Sequence, residues 1–103
     1  MEKISLIYVT FPSKEVAEEI SSILIQEDYA KCVNMFNISS MYKWNNELKN
    51  ENEIVCIYKL NSLIFDKFKD KMISLHPYDV PCIIEINPNS VNDEYAKWIG
   101  DLK

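Results

Sequence analysis

The side chains in this sequence best suited to chemistry are one histidine, three cysteines, a lysine ending an apolar run, and an acidic stretch. His76 has the only side chain whose unperturbed pKa lies near neutrality, which suits it to metal ligation, a binding cleft or proton transfer. Its position ahead of Pro77 also permits a plainer role, as a helix-end residue that hydrogen-bonds the last carbonyls. Cys32, Cys56 and Cys82 are odd in number and widely spaced, so they form neither a CxxC pair nor a secreted disulfide framework. They read as reduced thiols packed as small hydrophobes, with Cys32 also a candidate ligand at the start of a strand. Lys59 either snorkels from a core strand or holds an anion. Glu47, Glu51 and Glu53 read as a solvated edge or a loose site for hard cations. No nucleophile–base pair, Gly-rich loop or nucleophile elbow is readable, so no catalytic residue is assigned and the expectation is a protein that is not an enzyme.

Composition narrows the partners. A chain of 103 residues, 48 % hydrophobic and 26 % charged, suits one globular domain over 1–103. Its net charge is −5 and its pI about 4.8, which argues against nucleic acid and against an anionic membrane surface. The first ten residues make a poor signal peptide, and no apolar run approaches the length of a membrane span. Together with the unpaired cysteines, this places the protein in the cytoplasm.

Periodicity supplies the elements that must position these residues. Residues 4–10 are β-branched and aromatic and stop at Pro12, which predicts a strand. Ser13 caps a helix carrying Val16, Ala17, Ile20, Ile23 and Leu24 on one face and ending near Glu27-Asp28. Period two returns over 32–44 and again over 47–60, separated by Asn45-Asn46. Asparagine tolerates the positive φ of a type I′ turn, so these runs form a hairpin. Asn61 or Ser62 caps a second helix, with Ile64, Phe65, Phe68, Met72 and Leu75 inward, and Pro77 ends it. Residues 82–86 form a last strand. Val91-Asn92-Asp93-Glu94 then opens a terminal helix: Asn92 is its cap, Val91 staples onto Ala96, and Tyr95, Trp98, Ile99 and Leu102 form its apolar side. The order β-α-β-β-α-β plus a helix is the α+β, ferredoxin-like arrangement.

The hairpin outgrows its own domain. Arms of about thirteen residues reach roughly 40 Å at ~3.3 Å per residue, whereas a domain this size has a radius of gyration near ~13 Å. The tip carries Met41, Tyr42 and Trp44, with Tyr42 and Trp44 on one face. Such a ribbon is marginal alone, but against another copy its aromatics become anchors, which predicts a homo-oligomer built by strand exchange. The alternative is that bulges fold the ribbon back over its own sheet.

Several strings along the chain occur together in order. They are Tyr8-Val9-Thr10 with Pro12, Ala30-Lys31-Cys32-Val33-Asn34, Ser40-Met41-Tyr42-Lys43-Trp44, Tyr58-Lys59 and His76-Pro77-Tyr78-Asp79-Val80-Pro81, followed by Tyr95 and Trp98. With these, the chain resembles the CutA family of divalent-cation tolerance proteins over nearly its whole length. The resemblance implies a homotrimer with hairpins paired between subunits and Tyr42, Trp44, Tyr95 and Trp98 at the trimer interface. It implies inter-subunit clefts lined from Cys32, Lys59, His76 and Tyr78, and a role in metal tolerance or response without an established reaction. Copper or zinc would be the ion, as a ligand and not an obligatory cofactor. The chain departs from the family at Asn45-Asn46, where a glycine is common. It also departs at the copper site proposed for some bacterial members, whose positions are here Val9 and Leu75-His76, leaving His76 as the one candidate metal ligand. The alternative function is a trimeric signalling or scaffold module that binds a small anionic ligand or a protein segment in those clefts.

Overall fold

Ile7, Val9 and Phe11 alternate along strand β1 (Ile4–Phe11) and are fully buried, which sets the helix-covered face of the sheet. The computed structural model describes residues 3–101. In chain order, β1 is followed by helix α1 (Lys14–Gln26), strands β2 (Cys32–Trp44) and β3 (Glu47–Asn61), a 3-10 turn (Ser62–Ile64), helix α2 (Phe65–Leu75), strand β4 (Ile83–Ile86) and helix α3 (Asp93–Gly100). The four strands form one antiparallel sheet in the order β2-β3-β1-β4. The chain is therefore a mixed α+β domain, as expected.

The core lies between one sheet face and the first two helices. Ala17, Ile20 and Leu24 of α1 and Phe68 and Met72 of α2 pack against Ile7, Val9, Phe11, Cys56, Tyr58 and Leu60. Ser13 caps α1 by accepting the Val16 N–H at 3.2 Å. Asn61 accepts the Leu63 N–H, but the turn it caps is 3-10 and α2 starts only at Phe65. The first helix differs from the sequence reading in one detail and buries one residue that the reading did not place. Ile25, not Ile23, joins the core, and Ser21 is buried. Ser21 is tolerated because its hydroxyl lies 2.7 Å from the Tyr58 hydroxyl, which satisfies two polar groups at once. Burial then pushes the Tyr58 phenol well above its usual pKa.

Helix α3 lies on the opposite face. Ala96 and Ile99 pack on Ile4, with Val91, Tyr95 and Cys32 around them. Asn92 occupies the N-cap position but makes no side-chain capping bond. Trp98 is 51 % exposed, so it points away from the side that Ile99 buries. Leu102 falls outside the described residues.

The hairpin is long and unbroken. Its register runs without a slip from Cys32↔Lys59 to Trp44↔Glu47, so no bulge turns it back over the sheet. Pairing of β3 with β1 ends at Phe11↔Ile54. From Ile38↔Glu53 outward the ribbon has no third strand, and it projects roughly 20 Å at ~3.3 Å per residue. The molecule measures 46 × 27 × 21 Å in consequence. Asn45 (φ 51°) and Asn46 (φ 64°) take the left-handed conformation required of the turn. Asn46→Gly is expected to hold or raise stability, whereas Asn46→Val should cost about 1–2 kcal/mol, read from urea midpoints at unchanged slope.

Candidate functional site

Strand pairing places Tyr42 and Trp44 of β2 and Glu51, Glu53 and Val55 of β3 on the face away from α1 and α2. The connection from α2 to β4 crosses the edge of this face. Pro77 stops α2, and His76 leaves the helix with extended backbone (φ −72°, ψ 136°). The loop then carries Tyr78 to Glu53, whose carboxylate accepts the phenol hydrogen at 2.7 Å. A groove of about 480 Å³ results, lined by Thr10, Tyr42, Trp44, Glu51, Glu53 and residues 77–80 and 82.

His76 is the latch of this loop. Its main-chain N–H continues α2 by bonding the Met72 carbonyl, but the ring turns away from the helix end. Nδ1 accepts the Tyr78 N–H at 3.1 Å, so the neutral ring carries its hydrogen on Nε2 and donates it to the Thr10 carbonyl at 2.8 Å. The ring stacks on Phe11, with centroids 4.8 Å apart and planes at 19°. His76 is therefore not the helix-end residue capping the last carbonyls that its position suggested. It ties the loop to β1, and burial lowers its pKa, opposed by the Thr10 bond and the Glu53 charge.

A soft-metal centre does not fit these residues. Both ring nitrogens of His76 are committed to the main chain. Val9 is fully buried and Leu75 packs against the core, so neither offers a donor. Among the described residues, no three His, Cys, Asp or Glu side chains gather as a cation would require.

The other candidates lie apart within one chain. Cys32 is paired with Lys59 beside α3, where the Lys59 ammonium donates to the Tyr95 hydroxyl at 3.1 Å. Lys59 neighbours Leu6, whereas His76 bonds Thr10, four residues or roughly 13 Å further along β1. Tyr42 and Trp44 stand on the hairpin and Tyr95 and Trp98 on α3, and Tyr42, Trp44 and Trp98 are exposed. The three cysteines are unpaired. Cys56 is core, and Cys82 lines the groove with its thiol pKa raised by burial and by Glu53.

The acidic run is more ordered than a solvated edge. Glu47, Glu51 and Glu53 share one sheet face because they fall at even spacing along β3. Glu51 accepts from the Tyr42 hydroxyl at 2.5 Å, and Glu53 holds Tyr78. Only Glu47 stands in an ion pair, with Lys49 at 3.3 Å. Sequence reasoning missed Glu53 as the partner of Tyr78, although the even spacing of the acids signalled a common face. Phe11 and the Thr10 carbonyl carried no signal, because their role depends on the fold.

This architecture, an α+β domain with a four-stranded antiparallel sheet, three helices and a projecting ribbon, matches solved structures along nearly its whole length. A CutA1 divalent ion tolerance protein from Ehrlichia chaffeensis superposes with a TM-score of 0.92 at 39 % identity, over 96 % of this chain and 94 % of the other. A protein from Archaeoglobus fulgidus, described as a periplasmic divalent cation tolerance protein CutA, gives 0.90 at 34 % identity over 93 % and 94 %. In sequence, the divalent-cation tolerance protein CutA of Thermus thermophilus is 37 % identical over 98 % of this chain and 97 % of its own. The family profile "CutA1 divalent ion tolerance protein" matches residues 5–101, and the chain belongs to that family.

Proposed function

We propose that the chain works as a homotrimer in divalent-cation tolerance, through its assembled surface and not through a catalytic centre. One observation carries the reading. The sheet face not covered by α1 and α2 exposes Phe36 (47 %), Ile84 (51 %) and Ile86 (44 %), with Leu6, Tyr8 and Ile57 only partly covered. A contiguous apolar face of this kind marks an interaction surface. The ribbon bearing Tyr42 and Trp44 extends the same face beyond the domain, where a neighbouring copy gives it support. The strand order β2-β3-β1-β4, with helices after β1 and β3, supports the ferredoxin-like assignment.

The reading assigns no reaction, since the one histidine is engaged at both ring nitrogens. Copper or zinc would be an exchangeable ligand, and the tolerance role does not rest on a His76 chelate. An anionic ligand suits the groove poorly, because Glu51 and Glu53 line it. Three unpaired cysteines support a cytoplasmic location, and among the described residues no helix is long and apolar enough to cross a membrane.

Native mass spectrometry of untagged protein tests the assembly. Three copies are expected, and a monomer or dimer would overturn the reading. Calorimetry with Cu²⁺ tests the metal assignment: His76→Ala is expected to leave affinity and stoichiometry unchanged. Loss of copper binding in that variant would make His76 a ligand after all.

A further inference from the structure

We infer that His76 is a proton-operated latch on the assembly: neutral, it holds residues 77–82 where a neighbouring copy packs, and protonated, it releases them and loosens the subunits. The inference rests on the homotrimer proposed above and adds a control over it.

The groove of about 480 Å³ between the hairpin and this loop has two walls. One is the ribbon face with Tyr42 and Trp44, which the assembly covers. The other is the loop, with Pro77, Tyr78 and Val80. A neighbour that packs on the first wall therefore meets the second. Val80 is 70 % exposed in the single chain and stands open to such a contact. The loop also leads into β4, whose Ile84 and Ile86 belong to the assembly face. Where the loop rests thus decides the shape of one border of that face.

Tyr78 anchors the loop twice. Its N–H donates to His76 Nδ1 at 3.1 Å, and its hydroxyl donates to Glu53 at 2.7 Å. The His76 ring is itself fixed to β1 by the Nε2–H bond to the Thr10 carbonyl at 2.8 Å and by the stack on Phe11. A second proton lands on Nδ1, since Nε2 already carries the first. Two N–H groups then face each other, and the main-chain anchor of the loop is lost. The Thr10 bond survives, because Nε2 still donates. Titration therefore cuts the ring from the loop and leaves it attached to β1.

The surroundings allow that proton to arrive. From β3 the ring feels the Glu53 carboxylate, which favours the imidazolium. From the loop it meets the Tyr78 phenol, which burial and Glu53 keep protonated. β1 contributes the Thr10 carbonyl and the Phe11 ring, neither of which titrates. The Met72 carbonyl of α2 is taken by the His76 main-chain N–H. Burial opposes charging, so release falls on the acid side of the ordinary histidine range. Symmetry repeats the latch in every copy, which steepens the response.

Subunit exchange tests the switch. Isotope-labelled and unlabelled trimers are mixed and followed by native mass spectrometry at pH 7.5 and at pH 5. Wild-type exchange is expected to be at least ~tenfold faster at pH 5, the factor carried by one unit of pKa difference between dissociated and assembled states. His76→Gln keeps an acceptor for the Tyr78 N–H and a donor for the Thr10 carbonyl without titrating, so its exchange should not accelerate. Both proteins share Glu51, Glu53 and every other carboxylate, so the difference between them belongs to His76. Amide hydrogen exchange at Tyr78 in the wild type needs no variant: corrected for the intrinsic rate, its protection should fall at least ~tenfold over the same range. Equal subunit exchange at both pH values, the same acceleration in His76→Gln, or undiminished protection of Tyr78 each overturns the switch. A monomer already at pH 7.5 would remove the trimer itself, which tells the two failures apart.

Discussion

Ile84→Asp is expected to convert the proposed trimer into monomers, lowering the mass seen by light scattering from about three times 12.1 kDa to 12.1 kDa. Ile84 lies on β4, paired with Tyr8, on the face that neither α1 nor α2 covers. It is half exposed in the single chain, so a carboxylate there stays hydrated in a monomer and costs the isolated fold little. In an assembly the same carboxylate is desolvated without a partner, at several kcal/mol per copy, and the penalty recurs in every subunit. The asymmetry makes the variant diagnostic. Far-UV circular dichroism should stay native while the mass falls, and the melting temperature should lose any dependence on protein concentration. An unchanged mass would remove this face from the assembly.

The second large effect is expected at His76. Truncation to alanine removes the donor to the Thr10 carbonyl, the acceptor of the Tyr78 N–H and the ring stacked on Phe11. A cavity plus stranded main-chain groups should cost about 2–4 kcal/mol, read as a lower urea midpoint. His76→Phe keeps the stack and loses both hydrogen bonds, so its smaller loss separates packing from bonding. The latch also confers a pH dependence. Burial lowers the folded-state pKa of His76, so near neutrality the unfolded chain binds more protons than the native one. The stabilisation is complete above the unfolded value of about 6.5 and declines as pH falls below it toward the folded value. Protonation also puts a hydrogen on Nδ1 facing the Tyr78 N–H, which opens the loop. Glu53, held by Tyr78 beside the ring, moderates the shift because its negative charge favours the imidazolium. Stability that does not change between pH 7.5 and pH 5 specifically through His76, with His76→Phe as reference, would contradict this account.

Much of the fold was legible in local chemistry. Period-two alternation marked the strands, Ser13 and Pro77 marked the start of one helix and the end of another, and Asn45-Asn46 marked the turn. Such signals act over a few residues, through backbone sterics and side-chain periodicity, so sequence order preserves them. The misses share a cause as well. Periodicity leaves Ser21 of α1 unplaced, and it is buried where the Tyr58 hydroxyl reaches it from β3. Trp98 reads as part of the apolar side of α3, and it stands half exposed because α3 lies over only one corner of the sheet.

The oversized hairpin, with its aromatic tip, was determined by the sequence alone: run length and turn chemistry are enough to require it. Only the tertiary structure decided what His76 does. Its two partners, the Thr10 carbonyl and the Tyr78 N–H, lie 66 residues away and 2 residues away, and neither is a side chain whose identity the sequence could flag. Main-chain donors and acceptors are alike at almost every position, so which of them meets the ring depends on where β1 and the loop come to rest together.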